Sequence, residues 1–200
     1  MQTSFHELYG RLVNAAVHNK LKKEVKDVKQ SGEYDPHQLD CLLNPEKYPL
    51  IWNIGQCGCK EEEAACQQAC LFDAISRTEK GSIKIDQDKC TGCRVCVDSC
   101  KAKKLADSKE ILPLLETIHQ NKAPVYALIA PAFIGQFSDK VTPGKLRSAF
   151  KMLGFTGMVE VALFADILTL KEALEFDRNI NSEEDFLLTS CCCPIWIAML

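Results

Sequence analysis

Eleven of the twelve cysteines of this chain fall in two places, and thiols at that density act as metal ligands or redox groups. Cys90, Cys93, Cys96 and Cys100 have the spacing C-x2-C-x2-C-x3-C. Three thiolates separated by two residues each can wrap one corner of a cubane iron–sulfur cluster, with the intervening backbone amides turned toward its sulfides. The fourth, three residues on, starts a helix that carries it to a second cluster. Tetrahedral zinc takes cysteines from separated pairs, and three in so short a loop would crowd it, so spacing and ligand softness favour iron–sulfur over zinc. Cys57, Cys59, Cys66 and Cys70 form an irregular quartet that keeps the C-x3-C ending. Its opening is compressed and split by residues 60–65, which are rich in glutamate. Glu61, Glu62 and Glu63 would lower the reduction potential of a cluster beside them, whereas solvation and screening would cancel the effect; both readings stay open. The remaining cysteines are consecutive, in Thr189-Ser190-Cys191-Cys192-Cys193-Pro194-Ile195-Trp196, apart from an isolated Cys41 that reads as a small buried residue. His6, His18, His37 and His119 share no ligand spacing, and there is no glycine-rich phosphate loop.

The elements that must position these thiols can be read from periodicity. Apolar residues at Phe5, Leu8, Leu12, Ala16, Leu21, Val25 and Val28 predict an amphipathic helix over 5–28, opened by a capping box of Ser4 and Glu7 and stopped at Ser31-Gly32. Its lysine-rich second half reads as a solvated face in preference to a docking surface for an acidic redox partner. Within the cysteine-rich segment, Ile83 and Ile85 alternate after Gly81, which predicts a short hairpin. Residues 107–121 regain helical spacing, with Pro113 in the first turn. Val125 to Ala130 reads as a strand buried on both faces. A helix opened by Pro143-Gly144-Lys145 and ended by Gly154 follows, then a strand at 158–163 and a helix at 165–178. Strand, helix, strand, helix is the order of a parallel α/β sheet.

Composition narrows the setting. Two hundred residues, 46% hydrophobic and 26% charged, describe a globular chain of one ordinary domain or two small ones. A net charge of −3 gives no electrostatic case for nucleic acid. No run reaches the ~20 apolar residues of a membrane helix, and the N-terminus lacks the apolar core of a signal peptide. A cytoplasmic location with no membrane attachment is expected, where dense cysteines mean metal or redox chemistry more often than disulfides.

Two quartets about thirty residues apart and joined by a hairpin resemble the bacterial two-cluster ferredoxin module. That resemblance implies crossed ligand sets: Cys57, Cys59, Cys66 and Cys100 for one 4Fe–4S cluster, and Cys70, Cys90, Cys93 and Cys96 for the other. The proline that usually follows each fourth cysteine is replaced by Leu71 and Lys101, which leaves the turn there less fixed.

The Thr189 to Trp196 segment is similar to the first active-site motif of the FeFe (iron-only) hydrogenases, in the variant with three cysteines before the proline. The resemblance extends upstream through Ile129-Ala130-Pro131-Ala132, Gly144-Lys145-Leu146, Leu153-Gly154-Phe155 and Phe164-Ala165-Asp166. It implies that Cys193 is a cubane ligand of the H-cluster (a 4Fe–4S cubane joined to a diiron subsite). It gives Cys192, or Cys191 in a shifted alignment, the delivery of protons, by way of Glu172 and Glu175, whose competing reading is an exposed helix edge. The family's later Pro-Cys and Cys-x3-Cys motifs are absent from these 200 residues, and Ile195 to Leu200 reads as the first turns of a buried helix. The chain is therefore expected to be cut mid-domain and inactive alone.

The whole reads as α+β: a helical segment (1–49), a ferredoxin-like domain with two 4Fe–4S clusters (50–106), a linker helix (107–123) and the incomplete start of an α/β hydrogenase catalytic domain (124–200). The expected role is electron relay from ferredoxin or a similar redox carrier toward the H-cluster, in the reversible reduction of protons to hydrogen. Missing sequence or a partner chain would supply the remaining motifs. The alternatives are a stand-alone or split-subunit electron carrier and a non-catalytic metal-binding scaffold or sensor.

Overall fold

Ser4 opens the first helix for a local reason. Its hydroxyl accepts from the Glu7 N–H, while the Glu7 carboxylate accepts from the Ser4 N–H at 3.0 Å, so two otherwise orphaned donors satisfy each other. A computed structural model describes residues 3–59, 64–78, 82–185 and 193–199. Glu61, Glu62, Glu63, Gly81, Cys191 and Cys192 lie outside the described residues. Among the described residues the architecture is α+β, with helices and three two-stranded sheets.

The helix expected over 5–28 is two helices, α1 (Phe5–Val17) and α2 (Leu21–Ser31). The break comes at Asn19, which adopts φ +55°, a left-handed conformation that asparagine tolerates better than most residues. The turn folds Leu21 and Val28 back toward the face of α1 that buries Phe5, Leu8, Leu12 and Ala16, all in one core cluster. Arg11 closes the outer edge on Glu24 at 2.7 Å. Next comes α3 (Pro36–Leu43), capped by Asp35 accepting from the His37 and Gln38 N–H groups. It buries Leu39, Cys41 and Leu42 in the same core, which Trp52 enters with its ring edge-on to Phe5 at 6.4 Å.

Trp52 belongs to β1 (Ile51–Asn53), which pairs antiparallel with β4 (Leu105–Asp107), Ile51 opposite Asp107 and Asn53 opposite Leu105. Between them the chain forms α4 (Ala65–Gln68), the hairpin of β2 (Ile75–Arg77) with β3 (Ile83–Ile85), and α5 (Val95–Ser99). Then α6 (Ile111–Gln120) adds Leu112 and Leu115 to the core of the N-terminal helices. Contacts divide the described residues into two compact units, one running to Glu116 and including 193–199, the other starting at Thr117.

The second unit is a strand–helix–strand unit followed by a long helix. β5 (Tyr126–Ile129) pairs parallel with β6 (Gly157–Glu160), and α7 (Pro143–Met152) is the crossover, capped by the Thr142 hydroxyl. Gly154 ends that crossover at φ +98°, where a Cβ would stand 2.6 Å from Ile118 Cγ2, so no larger residue fits without a shift. The expectation that β5 is buried on both faces is not met: Ala127 is buried, but Tyr126 and Leu128 are exposed, because only one face of this two-stranded sheet is covered. Helix α8 (Ala162–Asn179) buries no residue; Leu163, Phe164, Ile167, Leu168, Leu170 and Leu174 are all at least half exposed. The C-terminal apolar run does form a helix, α9 (Pro194–Met199), with Trp196, Ile197 and Met199 exposed instead of buried. No helix among the described residues is long and apolar enough to cross a membrane.

The two units should answer differently to truncation. Leu12 is 0% exposed and Leu163 is 60% exposed. Leu12→Ala is expected to cost about 2–5 kcal/mol in urea unfolding, and Leu163→Ala within about 0.5 kcal/mol; equal losses would contradict the packing described.

Candidate metal centres

Each quartet ends on a one-turn helix, and the two ends are built alike. Cys66 lies in α4 and Cys70 two residues beyond it; Cys96 lies in α5 and Cys100 just past its end. Cys70 Sγ accepts the N–H of Ala74 at 3.4 Å, and Cys100 Sγ accepts that of Lys104 at 3.3 Å. Three residues after each cysteine the chain turns through a left-handed residue, Asp73 (φ +49°) and Lys103 (φ +51°). A strand follows each turn, β2 and β4. These paired turns and sulfur bonds fix the backbone at the places where Leu71 and Lys101 stand. The internal repeat therefore reaches past the cysteines into the strands.

The thiols line two cavities. Cys57, Cys59, Cys66 and Cys100 share one of about 740 Å³, whose wall includes Asn53, Arg77, Lys101 and Lys104. Arg77 of β2 donates to the Cys59 carbonyl at 2.7 Å and so ties the opening loop to the hairpin. Cys70, Cys90, Cys93 and Cys96 share a second, tighter cavity walled by Ile51, Phe72, Ala74, Ile75 and Ile85, together with Thr91 and Arg94. Gly92 lets its loop close: it adopts φ +70°, and a Cβ there would meet Leu50 Cδ1 at 3.0 Å. Arg94, also left-handed at φ +69°, opens α5 and reaches Asp107 of β4 at 3.7 Å, a carboxylate that Lys109 holds at 2.8 Å.

Electrostatics follow the same grouping. Burial pushes the Cys66 thiol above its ordinary value, and Cys100 and Cys57 push it further. Burial pushes Cys96 up to about 11, with Cys90, Cys93 and Cys70 adding to it. Four thiolates gathered in such a place repel one another and lose hydration, so the ionised set requires positive charge among them. Among the described residues, no three Cys, His, Asp or Glu side chains converge closely enough to hold one metal ion. Thiols sharing one tetrahedral zinc would stand about 3.8 Å apart, given Zn–S bonds of about 2.3 Å. The donor set instead suits a multinuclear group in which each iron takes one thiol. Arg77 and Thr91 carry no spacing signal in the sequence, and only the folded chain shows them at these cavities.

The residues that the hydrogenase resemblance singles out fall in both units. Cys193 precedes α9 and is exposed. Glu172 and Glu175 lie three apart on α8, both half-buried, with Lys171 at 3.6 Å from Glu175. Cys193 belongs to the first compact unit and the two glutamates to the second. Cys41 is remote from both cavities in the sequence and is fully buried against His37, 3.7 Å from its Nε2.

Comparison with known proteins agrees with this chemistry. Residues 81–102 match the 4Fe-4S binding domain family. Residues 123–200 match the family described as iron only hydrogenase large subunit, C-terminal domain. The chain is thus similar to iron–sulfur, electron-transfer and hydrogenase proteins in two separate stretches. Over 84% of its length it is 24% identical to the NADP-reducing hydrogenase subunit HndD of Solidesulfovibrio fructosivorans, of which it covers 33%. Over 36% of its length it is 33% identical to iron hydrogenase 1 of Clostridium pasteurianum, of which it covers 12%. Over 32% it is 35% identical to a component of the Na(+)-translocating ferredoxin:NAD(+) oxidoreductase complex of Acetobacterium woodii, of which it covers 18%. The chain spans a third or less of the length of these relatives.

Burial sets a test on the one cysteine outside both groups. Desolvation, then Asp40 and Asp35, push the Cys41 thiol up to about 12. Its thiolate, and hence its alkylation, is fully available only above that value and is nearly absent at pH 8. In the folded chain at pH 8, iodoacetamide should label Cys41 at least about a hundredfold more slowly than after unfolding. Peptide mass spectrometry checks this, and equal rates would refute the burial.

Proposed function

We propose that this chain is the electron-relay portion of an FeFe hydrogenase, carrying two 4Fe–4S clusters and part of the wall of the H-cluster site. The observation that carries the relay reading is the exchange of fourth thiols: Cys100 joins Cys57, Cys59 and Cys66 around one cavity, while Cys70 joins Cys90, Cys93 and Cys96 around the other. The match of residues 123–200 to the hydrogenase family supports the rest.

Bound in these sites, 4Fe–4S clusters supply one-electron redox chemistry. The protein holds each by four thiolates, excludes water from the tighter site with Ile51, Phe72, Ile75 and Ile85, and steadies Cys70 and Cys100 with backbone N–H donors. The donor of electrons is ferredoxin or a similar carrier; the A. woodii relative is by name part of a ferredoxin oxidoreductase complex. Cys193 would serve as a ligand of the H-cluster cubane, and Cys192, or Cys191, would hold the proton delivered toward the diiron subsite. Glu172 and Glu175, three apart on α8, would pass protons from one turn to the next. The reaction served is the reversible reduction of protons to hydrogen.

A covering polypeptide belongs to this reading. α8 carries leucines, isoleucine and phenylalanine on more than one side among its charged residues, yet these apolar side chains and one face of β5 lie open. A chain supplying the Pro-Cys and Cys-x3-Cys motifs fits that surface. Alone, these 200 residues relay electrons and do not turn over hydrogen, because Cys193 and its neighbours provide too few ligands for an H-cluster.

Anaerobic reconstitution tests the relay. Cys70→Ser and Cys100→Ser should each remove about half of the bound iron. Cys70→Ser with Cys96→Ser should lose no more than either alone, whereas Cys70→Ser with Cys66→Ser should lose nearly all. Additive loss for the first pair would break the crossed assignment, and colourless protein holding stoichiometric zinc would end the iron–sulfur reading. Hydrogen evolution from reduced methyl viologen should be absent for the chain alone and appear on mixing with a polypeptide that supplies the later motifs.

A further inference from the structure

The tighter cavity has one polar feature with no explanation in the protein. Thr91 lies in its wall, between Cys90 and Gly92, and its hydroxyl oxygen is buried with no hydrogen-bond partner. A buried hydroxyl without a partner is costly, and native proteins leave few of them. The side chains around it are aliphatic or aromatic apart from Arg94 and the four thiols, so among these side chains the thiols and whatever they hold are the acceptors for its proton. Cys70 Sγ already accepts from the Ala74 N–H.

The loop has little freedom to carry the hydroxyl elsewhere. Cys90 N–H is tied to the Asp86 carbonyl at 3.0 Å, and Gly92 is closed against Leu50. A threonine hydroxyl hydrogen rotates about its C–O bond and takes whichever acceptor stands nearby.

We infer that Thr91 donates its O–H to a sulfur of the cluster held by Cys70, Cys90, Cys93 and Cys96, and makes that cluster easier to reduce. The inference rests on the iron–sulfur reading of the cavity proposed above. Its sign follows from charge. An added electron makes the sulfurs more negative, so a hydrogen-bond donor stabilises the reduced form more than the oxidised one and raises the potential. The effect belongs to one site. The position equivalent to Thr91 after the first cysteine of the other quartet is Gly58, which has no side-chain donor. Thr91 is thus a positioning and tuning residue that sets the two relay sites apart.

The test is a redox titration of the reconstituted full chain, read by EPR, with iron counted for every sample. In T91V, which keeps the shape and removes the hydroxyl, one of the two midpoints should move negative by about tenfold in the reduction equilibrium, about 59 mV for one electron. The other midpoint should stay. T91S should hold both near the wild-type values. In a Cys100→Ser background, which leaves only the tighter site loaded, the remaining couple should move with T91V; in a Cys70→Ser background it should not. Unchanged midpoints in T91V at full iron content overturn the inference, and so does an equal shift in T91S, since shape would then be the cause. Where T91V binds less iron, T91A gives the same reading. Loss of that cluster in both with retention in T91S supports the hydroxyl, and loss in all three overturns it. Wild-type protein without iron would instead defeat the cluster reading itself, and the iron count separates that failure from the others.

Discussion

Ile51 with Asp107, Trp52 with Ala106 and Asn53 with Leu105 join segments more than fifty residues apart, and the cysteine-rich region is closed into a ring by those pairs. Inside it, the β2–β3 hairpin forms a second ribbon of the same length. The helix α4 leads into the hairpin, and α5 leads into the closing strand. A one-turn helix raises its last residue only about 6 Å above its first. Its two ends thus present thiols to different cavities: Cys66 to the first and Cys70 to the second, Cys96 to the second and Cys100 to the first. Opening β1 from β4 would separate Cys100 from Cys57 and Cys66. It would also free Trp52 from the core that holds α1 and α3. The N-terminal helices and the thiol cavities therefore share one constraint.

Local pattern carried the individual elements well. Ser4 with Glu7, the alternation at Ile83 and Ile85, and Pro143-Gly144-Lys145 each act through neighbours within a few residues, and each stands where its spacing indicates. The split at Asn19 was not legible, because the apolar spacing from Phe5 to Val28 continues across it; only packing of α2 onto α1 favours the turn. The open face of β5 was hidden for a related reason. An apolar run encodes the capacity to be buried on both sides, and what covers each side is a tertiary matter. The spacing of Cys90 to Cys100 named a chemistry without help. The grouping of thiols across the two cavities came from a family resemblance, since no local pattern relates Cys66 to Cys100. Thr91 and Arg77 were invisible, as a single threonine or arginine has no periodic signature.

The first unit balances charge against burial in an instructive way. Its largest buried side chains, Trp52, Leu8, Leu12, Leu42 and Ile51, are hydrophobic, and among the described residues no polar or charged residue is buried as a whole, although single polar atoms such as the Thr91 hydroxyl are. The thiols are the exception in kind, being small hydrophobes when protonated and strong ligands when ionised. As protonated groups they complete the apolar interior; as thiolates they need iron. Ile51 and Ile75 wall the tighter cavity and also belong to the core cluster around Cys66 and Cys96, so that cluster and the metal site are one piece of structure.

The second unit states the opposite case. Its strand–helix–strand register is regular, Tyr126 opposite Gly157 to Ile129 opposite Glu160, and Gly154 fits closely against Ile118. Yet α8 leaves its leucines and phenylalanines open. On the reading proposed above, a covering polypeptide would do more than hide apolar surface. Glu172 and Glu175 lie on that helix among those side chains, and Glu175 has Lys171 beside it at 3.6 Å. Covering α8 would remove water from both carboxyls. Any proton route along the helix would then be closed off from bulk water on the covered side. The same contact that completes the fold would therefore complete the chemistry.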